Sequence, residues 1–225
     1  MTTSREPIPA QLIISPALIS YQDAYEEQMK LLKQRQAGEI PDTVWLLEHF
    51  PVYTYGRSTK VDGVTVSNIV WSEAKRKAAG IELYETDRGG DVTYHGPGQI
   101  VGYFIVDLEQ HGKDIHRFLR MLEQAVIDTL AHWQLEGYRV EGRTGVWVRG
   151  AKVCAMGIRV SRWVTMHGIA FNVNPNLSHF QGIVPCGIND APVTSLSLSL
   201  GREVAMLEAR DVLVKSCIEQ FHWQI

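Results

Sequence analysis

Cys186 lies in a segment whose residue types could support nucleophilic catalysis, Gly182-Ile-Val-Pro-Cys-Gly-Ile188. The glycine directly after the cysteine leaves its backbone N–H open to a substrate, as an oxyanion donor requires. Pro185 stiffens the approach to the thiol. The alternative is a free thiol that serves only as a small buried hydrophobe. We predict that alternative for Cys154, in an alternating apolar strand, and for Cys217, in the last helix, which leaves Cys186 as the candidate nucleophile.

A nucleophilic thiol needs an activating group, because the ordinary cysteine pKa lies near ~8.5. The candidate activators are His95, His167 and Lys152. Taken alone, Lys152 is typical of a solvated lysine at the edge of a sheet. His167 precedes a glycine where a strand begins, which suits a structural histidine equally well. The sequence therefore leaves the choice of activator open.

The segment from Arg88 to Gln99, Arg-Gly-Gly-Asp-Val-Thr-Tyr-His-Gly-Pro-Gly-Gln, is the densest in chemical groups. Its four glycines let the backbone approach another molecule closely, beside donors from arginine, threonine, tyrosine and histidine. The phosphate-binding patterns G-x-x-x-x-G-K-[ST] and G-x-G-x-x-G are both absent from the chain. We interpret the segment as a binding loop, with a glycine-rich turn between two strands as the alternative.

The elements that must position these residues follow from hydrophobic periodicity and from capping signals. Strands are predicted over residues 11–15, 43–49, 51–56, 99–108, 144–149, 152–160 and 168–173. Helices are predicted over residues 18–36, 72–79, 114–135 and 203–222. Residues 174–190 are rich in turn formers and predict a loop over a site. Because the elements do not alternate strictly, we expect an α/β (α+β) fold, with a mixed β-sheet flanked by helices in a single domain, 1–225.

Composition narrows the function classes. The net charge of −3 and the isoelectric point near 6.2 argue against a nucleic-acid-binding protein. No apolar run approaches the ~18 residues of a membrane span, and the first residues lack the apolar core of a signal peptide, so we expect a cytoplasmic protein. The three cysteines form no C-x-x-C pair, so no metal site is expected from them. Nothing indicates an oligomer, and a monomer is the expectation.

Charge is unevenly distributed along the chain. Residues 139–162 hold six basic side chains against the single acid Glu141: Arg139, Arg143, Arg149, Lys152, Arg159 and Arg162. Such a cluster could dock an acidic partner. The alternative is a set of outward-facing residues on strands.

From about Thr43 to Leu198 the chain resembles the lipoyl(octanoyl) transferases, which make octanoylated proteins for lipoate biosynthesis. The resemblance is carried by several segments in the expected order, so it is more specific than any single motif. They are the Arg88–Gln99 segment, Arg143-Thr-Gly-Val-Trp-Val, Ala151-Lys-Val, Gly157-Ile-Arg, His167-Gly-Ile-Ala-Phe-Asn-Val and Ile183-Val-Pro-Cys-Gly-Ile.

The resemblance implies the fold of the biotin and lipoate protein ligases, with Cys186 as the acyl-thioester nucleophile and Lys152 as its partner in a Cys/Lys dyad. It implies a substrate pocket formed by Arg88, Gly89, Gly90, Asp91, Val92, Thr93, Tyr94, His95, Ala155, Met156, Gly157, Gly168, Ile169 and Ala170. The implied donor is octanoyl-acyl carrier protein. The implied acceptors are the lipoyl domains of 2-oxoacid dehydrogenase complexes and the H protein of glycine cleavage. No cofactor is expected, neither ATP nor a metal.

Several hypotheses remain beside this one. An ATP-dependent lipoate or biotin ligase would share the fold, as would an amidotransferase that moves acyl groups between lipoyl domains. A non-catalytic module that binds lipoyl domains and a cysteine hydrolase are further alternatives. Within the transferase hypothesis, Lys152 is either an ammonium that stabilises the thiolate or a general base. His95 is a positioner or a hydrogen-bond donor to the thioester carbonyl.

Overall fold

The computed structural model describes residues 6–56, 60–61, 64–65, 68–184 and 192–225. Thirteen strands lie in these ranges, in chain order β1 Ile8–Ile19, β2 Asp42–His49, β3 Val52–Tyr55, β4 Lys60–Val61, β5 Val64–Thr65, β6 Glu82–Glu85, β7 Val92–His95, β8 Gln99–Ile105, β9 Tyr138–Val140, β10 Arg143–Val148, β11 Ala151–Ser161, β12 Val164–Asn172 and β13 Trp223–Gln224. The helices are α1 Tyr21–Gln36, α2 Glu73–Ala78, α3 Ile115–Ala131, α4 Leu196–Leu200 and α5 Met206–Phe221, with a 3₁₀ helix at Leu177–Gly182.

The main sheet has eight strands in the order β13-β1-β2-β8-β12-β11-β10-β9. β1 pairs in parallel with β13 and β2, and the other neighbours are antiparallel, so the sheet is mixed as predicted. A second sheet has the order β6-β3-β7, and β4 pairs with β5. Among the described residues no helix is both long and apolar enough to cross a membrane.

Helices cover both faces of the main sheet. Every residue of β8 is buried, and its side chains alternate between two apolar clusters. Phe104 packs with residues of α3 and α5, whereas Ile105 packs with residues of α1. This arrangement explains why the strand reads as a continuous apolar run in the sequence.

Side-chain caps fix where three helices begin. Ser20, Ser72 and Asp114 accept hydrogen bonds from the backbone N–H three residues on, at the first turns of α1, α2 and α3. Ser and Asp are favoured at this position because they satisfy an N–H that the helix leaves unpaired. The cap at Ser20 also shows that the predicted start of the first helix at residue 18 was wrong, since β1 continues to Ile19.

Two of the three cysteines lie among the described residues, and neither forms a disulfide. Cys154 and Cys217 are both buried in the apolar cluster beneath α3 and α5. Burial raises the pKa of Cys217 to about 12 and also raises the pKa of Cys154. The prediction that both are core thiols is confirmed. Cys186 lies outside the described residues.

Candidate active site

A cavity of about 430 Å³ opens where β7 and the loop before it meet the main sheet. Its volume is that of a site for a small molecule. Fourteen predicted site residues line it: Arg88, Gly89, Gly90, Asp91, Val92, Thr93, His95, Lys152, Ala155, Met156, Gly157, Gly168, Ile169 and Ala170. The fold therefore brings together three segments that are far apart in the sequence, residues 88–95, 152–157 and 168–170.

Tyr94 is the predicted site residue that the structure places elsewhere. Because side chains alternate along β7, its side chain leaves the face that His95 presents to the cavity. The Tyr94 ring packs against Tyr53 and Phe180, and its hydroxyl lies 2.8 Å from His179 Nδ1. Tyr94 therefore supports the wall of the cavity from behind.

The loop at Gly89 rests directly on the middle of β11. The Gly89 N–H donates to the Ile158 carbonyl at 3.0 Å, and a Cβ on Gly157 would lie 2.6 Å from the Gly89 carbonyl oxygen. Only glycine allows the two backbones to approach this closely. This contact brings the loop against the strand that carries Lys152.

Gly157→Ala should displace the loop and weaken substrate binding. The added methyl group meets a backbone oxygen that cannot move alone, so we expect a loss of about 1–3 kcal/mol in stability, as for overpacked sites. We also expect a raised KM for the substrate. Thermal unfolding and steady-state kinetics measure both. Gly150→Ala is the control for backbone strain without the contact, because a Cβ there meets nothing within 4 Å but the φ of +84° disfavours alanine, so it should lose stability and keep a wild-type KM. A wild-type KM in Gly157→Ala would contradict the predicted contact.

Arg88 lines the cavity and stabilises its wall through hydrogen bonds. Its buried guanidinium donates to the Thr54 carbonyl at 2.7 Å, to Thr54 Oγ1 at 2.9 Å and to the Gly89 carbonyl at 3.1 Å. These bonds join the loop to β3 of the small sheet. The charge of Arg88 thus lies behind the glycines and beside His95.

Lys152 lies at the start of β11, and its side chain reaches the cavity. Lys152 Nζ donates to the Thr144 carbonyl at 3.3 Å and lies 4.7 Å from the centre of the Trp147 ring. A carbonyl oxygen and an indole face are both partners of an ammonium group. Among the described residues Lys152 has no carboxylate partner.

His95 and Tyr103 form the inner wall of the cavity, and the His49 ring packs against both of them. Tyr103 donates to His49 Nε2 at 2.7 Å, and His49 Nδ1 donates to the Ile19 carbonyl at 2.9 Å. Burial lowers the pKa of His49 to about 4. The pKa of His95 is well below its ordinary value, first because of burial and then because of His49 and Arg88 nearby. Both imidazoles are therefore neutral near pH 7.

His167 lines the same cavity but pairs with a carboxylate. Its Nε2 lies 2.9 Å from Asp87 Oδ1, while Arg159 and Tyr25 donate to the other oxygen. Burial lowers the pKa of His167 although Asp87 opposes this shift. The hydrogen bond from His167 and the charges of His167 and Arg159 lower the pKa of Asp87 to about 2, against the opposing effect of its burial. His167 thus has the partners of a structural histidine.

Sequence reasoning missed several lining residues, among them Tyr21, Gln99, Tyr103, Trp147, Asn172 and Phe180. Gln99 ends the glycine-rich segment, so its position in that motif was an available signal. Tyr103 and Asn172 belong to apolar strands, and nothing in their local sequence marks them as polar wall residues.

The structure divides the basic cluster predicted over residues 139–162. Arg139 donates to the buried Glu123 at 3.0 Å, and Arg159 pairs with Asp87. These two arginines therefore form ion pairs within the protein. Arg143 lines the cavity, and Arg149 and Arg162 remain exposed.

A mixed sheet with helices on both faces, and a cavity formed by a glycine-rich loop and two neighbouring strands, is the fold shared with lipoate and biotin protein ligases. Two solved structures share it. A bi-partite lipoate protein ligase from Thermoplasma acidophilum superposes with a TM-score of 0.69 at 16% identity, over 98% of this chain and 86% of that one. A biotin protein ligase from Aquifex aeolicus superposes with a TM-score of 0.53 at 13% identity, over 95% and 69% of the two chains.

Sequence comparison is more specific. The family described as "Lipoyl protein ligase A/B catalytic domain" matches residues 20–218. An octanoyltransferase from Rubrobacter xylanophilus is 49% identical over 192 residues, which cover 85% of this chain and 84% of that protein. The chain belongs to the octanoyltransferases of the lipoyl protein ligase A/B family.

Proposed function

We propose that the protein transfers an octanoyl group from octanoyl-acyl carrier protein to a lysine of a lipoyl domain, through a thioester on Cys186. The observation that carries the proposal is the cavity at which Lys152 Nζ, the glycine-rich loop and the middle of β12 meet. The relatives named octanoyltransferase support the choice of acyl group.

Two exchange steps account for the chemistry. The Cys186 sulfur attacks the donor carbonyl, a new C–S bond forms, the C–S bond to the carrier breaks, and the carrier sulfur takes up the proton that the Cys186 thiol gave up. The neutral ε-amine of the acceptor lysine then attacks the enzyme thioester. The C–N bond of the amide forms, the C–S bond to Cys186 breaks, and the proton that the nitrogen loses passes to the Cys186 sulfur. The first step exchanges one thioester for another and the second is downhill, so we propose that neither ATP nor a metal takes part. Covalent catalysis divides one difficult transfer into two easier ones.

The ends of the connection that contains Cys186 lie beside the cavity. Val184 donates to the Asn68 carbonyl at 2.7 Å, and the Asn68 side chain donates to Asp91 in the cavity wall. At the other end, the Pro192 carbonyl accepts from the Lys152 N–H at 2.8 Å. Cys186 follows Val184 by two positions, a span of at most about 7 Å. This connectivity supports the assignment of Cys186 as the nucleophile.

Lys152 is proposed to act as an ammonium group that stabilises the Cys186 thiolate. Its contacts with the Thr144 carbonyl and the Trp147 ring are those of a cation. An adjacent positive charge increases the thiolate fraction of a cysteine, and the thiolate is the nucleophile. In this role Lys152 never has to give up its proton.

The partners follow from the two steps. Acyl carrier protein is the proposed donor, and lipoyl domains of 2-oxoacid dehydrogenase complexes and the glycine cleavage H protein are the proposed acceptors. Arg143 at the cavity and the exposed Arg149 offer positive charge to an acidic partner. We further propose that residues 1–225 act as one catalytic unit, as a monomer in the cytoplasm.

The test of the function is transfer without nucleotide. Purified enzyme, octanoyl-acyl carrier protein and a lipoyl domain are mixed in the absence of ATP, and the lipoyl domain is weighed by intact-protein mass spectrometry. We expect an octanoyl addition to the lipoyl domain. Octanoylation only when free octanoate and ATP are supplied would identify a ligase instead.

A further inference from the structure

We infer that Gln99 and Asn172 are positioning residues that hold His95 in the tautomer with its proton on Nδ1, so that Nε2 is a hydrogen-bond acceptor. The tautomer follows from a chain of hydrogen bonds whose two ends can act in only one way. Its consequence for catalysis rests on the proposed transferase function, whereas the tautomer itself does not.

The first end of the chain is a carbonyl oxygen, which can only accept. Asn172 Nδ2 donates to the Thr194 carbonyl at 3.0 Å. This contact fixes the orientation of the Asn172 amide, because the opposite orientation would place two oxygens against each other. Asn172 Oδ1 is therefore turned toward Gln99, its partner in the pairing of β12 with β8.

The Gln99 amide is fixed in turn. Its Nε2 lies 2.9 Å from Asn172 Oδ1 and 3.0 Å from the Tyr94 carbonyl, both of which are acceptors, so the NH₂ group must face them. Gln99 Oε1 then lies 2.8 Å from His95 Nδ1. Since an amide oxygen can only accept, His95 Nδ1 must carry the proton.

The second end of the chain is Arg88, which can only donate. Its Nε and Nη2 donate to Thr54 Oγ1 at 3.3 and 2.9 Å. The hydroxyl proton of Thr54 is then free to point at His95 Nε2, 3.4 Å away. His95 is buried and its pKa is well below the ordinary value, so the doubly protonated ring does not compete.

This chain of hydrogen bonds links the cavity wall to Lys152, the proposed partner of the nucleophile. Thr194, at the first end, donates its N–H to the Lys152 carbonyl at 2.9 Å. His95, Gln99 and Asn172 all line the cavity. The His95 ring is thereby held at both nitrogens, at Nδ1 by Gln99 and at Nε2 by Thr54, and it presents a fixed, neutral surface to a substrate in the cavity. This role differs from that of a donor to the thioester carbonyl, which the sequence suggested for His95.

Nitrogen NMR of the histidine rings tests the tautomer directly. In wild-type protein labelled with ¹⁵N-histidine, at neutral pH and without substrate, the His95 signals should show a protonated Nδ1 and an unprotonated Nε2. The signals among the eight histidines are assigned by comparison with His95→Gln. A protonated Nε2 on His95 would overturn the inference even if Gln99 variants failed to fold.

Gln99→Leu tests the positioning role. Loss of the amide should release the Nδ1–H tautomer in the NMR spectrum and lower kcat for transfer to lysine by about 100-fold, the scale of a misplaced catalytic group, with little change in KM. The matched control is Gln11→Leu, which removes an amide that donates to Thr43 Oγ1 at 2.7 Å between β1 and β2, away from the cavity. Wild-type kcat in Gln99→Leu would refute the role. Wild-type enzyme without any octanoyl transfer would contradict the proposed function but leave the tautomer result standing.

Discussion

Lys152→Met should lower the rate of enzyme acylation by about 1,000-fold, the scale expected when a nucleophile loses its activating group. Methionine keeps most of the length of the side chain but removes the charge that contacts the Thr144 carbonyl and the Trp147 ring. At neutral pH an unassisted cysteine is mostly thiol, and the thiol is a poor nucleophile. The rate is measured as formation of the acyl-enzyme in single-turnover mass spectrometry.

Lys152→Arg separates the two possible roles of the lysine. Arginine keeps the positive charge but cannot act as a base. If the ammonium group stabilises the thiolate, as we propose, Lys152→Arg should be clearly more active than Lys152→Met. Equal loss in the two variants would show that the lysine must release its proton. Lys113→Met serves as a control, because Lys113 pairs with Glu109 at the surface.

Folding stability should fall as the pH drops below about 6.5, because the buried histidines exclude protons that the unfolded chain binds. Burial lowers the pKa of His49 to about 4, and the pKa values of His95 and His167 are lowered in the same direction. Above the pKa that such a histidine has in the unfolded chain, the group leaves the free energy of unfolding unchanged. As the pH falls from there toward the pKa in the folded protein, the group lowers the free energy of unfolding. For His49 alone the loss at pH 5 is about 2 kcal/mol, a large part of an ordinary stability of about 5–15 kcal/mol.

Chemical unfolding at pH 7.5 and pH 5 measures this loss. His49→Gln is the comparison, because its amide can donate to the Ile19 carbonyl and accept from Tyr103 but cannot gain a proton. The pH dependence should be weaker in His49→Gln than in wild type. Asp87 does not contribute to the difference between pH 7.5 and pH 5, since its pKa of about 2 confines its effect on stability to the range below about pH 4. Equal stability of wild type at the two pH values would contradict the neutral, buried state of these histidines.

Much of the fold could be predicted because local sequence determines it. The apolar run of β8, the cap at Asp114 and Gly80, whose positive φ follows the end of α2, each express a local rule, and the predicted elements are present. Short strands were missed because they have little local signal. β7 lies inside the glycine-rich segment and owes its existence to pairing with β3, some 40 residues earlier.

The candidate site was predictable in part for the same reason. Motifs identified the loop at Arg88 and the strands around Gly157 and Gly168, because glycines are needed there whatever surrounds them. The inner wall could not be predicted, since Tyr103 and its hydrogen-bond partner His49 become neighbours only through the pairing of β2 with β8. Gln99 and Asn172 likewise meet across 73 positions of sequence, and only the assembled sheet shows that they share a hydrogen bond.

The central claim is that the acyl group passes through Cys186. The direct measurement is the mass of the intact enzyme after mixing with octanoyl-acyl carrier protein, and again after a lipoyl domain is added. We predict one octanoyl adduct on wild type that is lost when the lipoyl domain gains it, and no adduct on Cys186→Ala, with Cys154→Ala and Cys217→Ala acylated as wild type. A lipoyl domain that becomes octanoylated by Cys186→Ala at the wild-type rate would show that the transfer does not pass through this thiol.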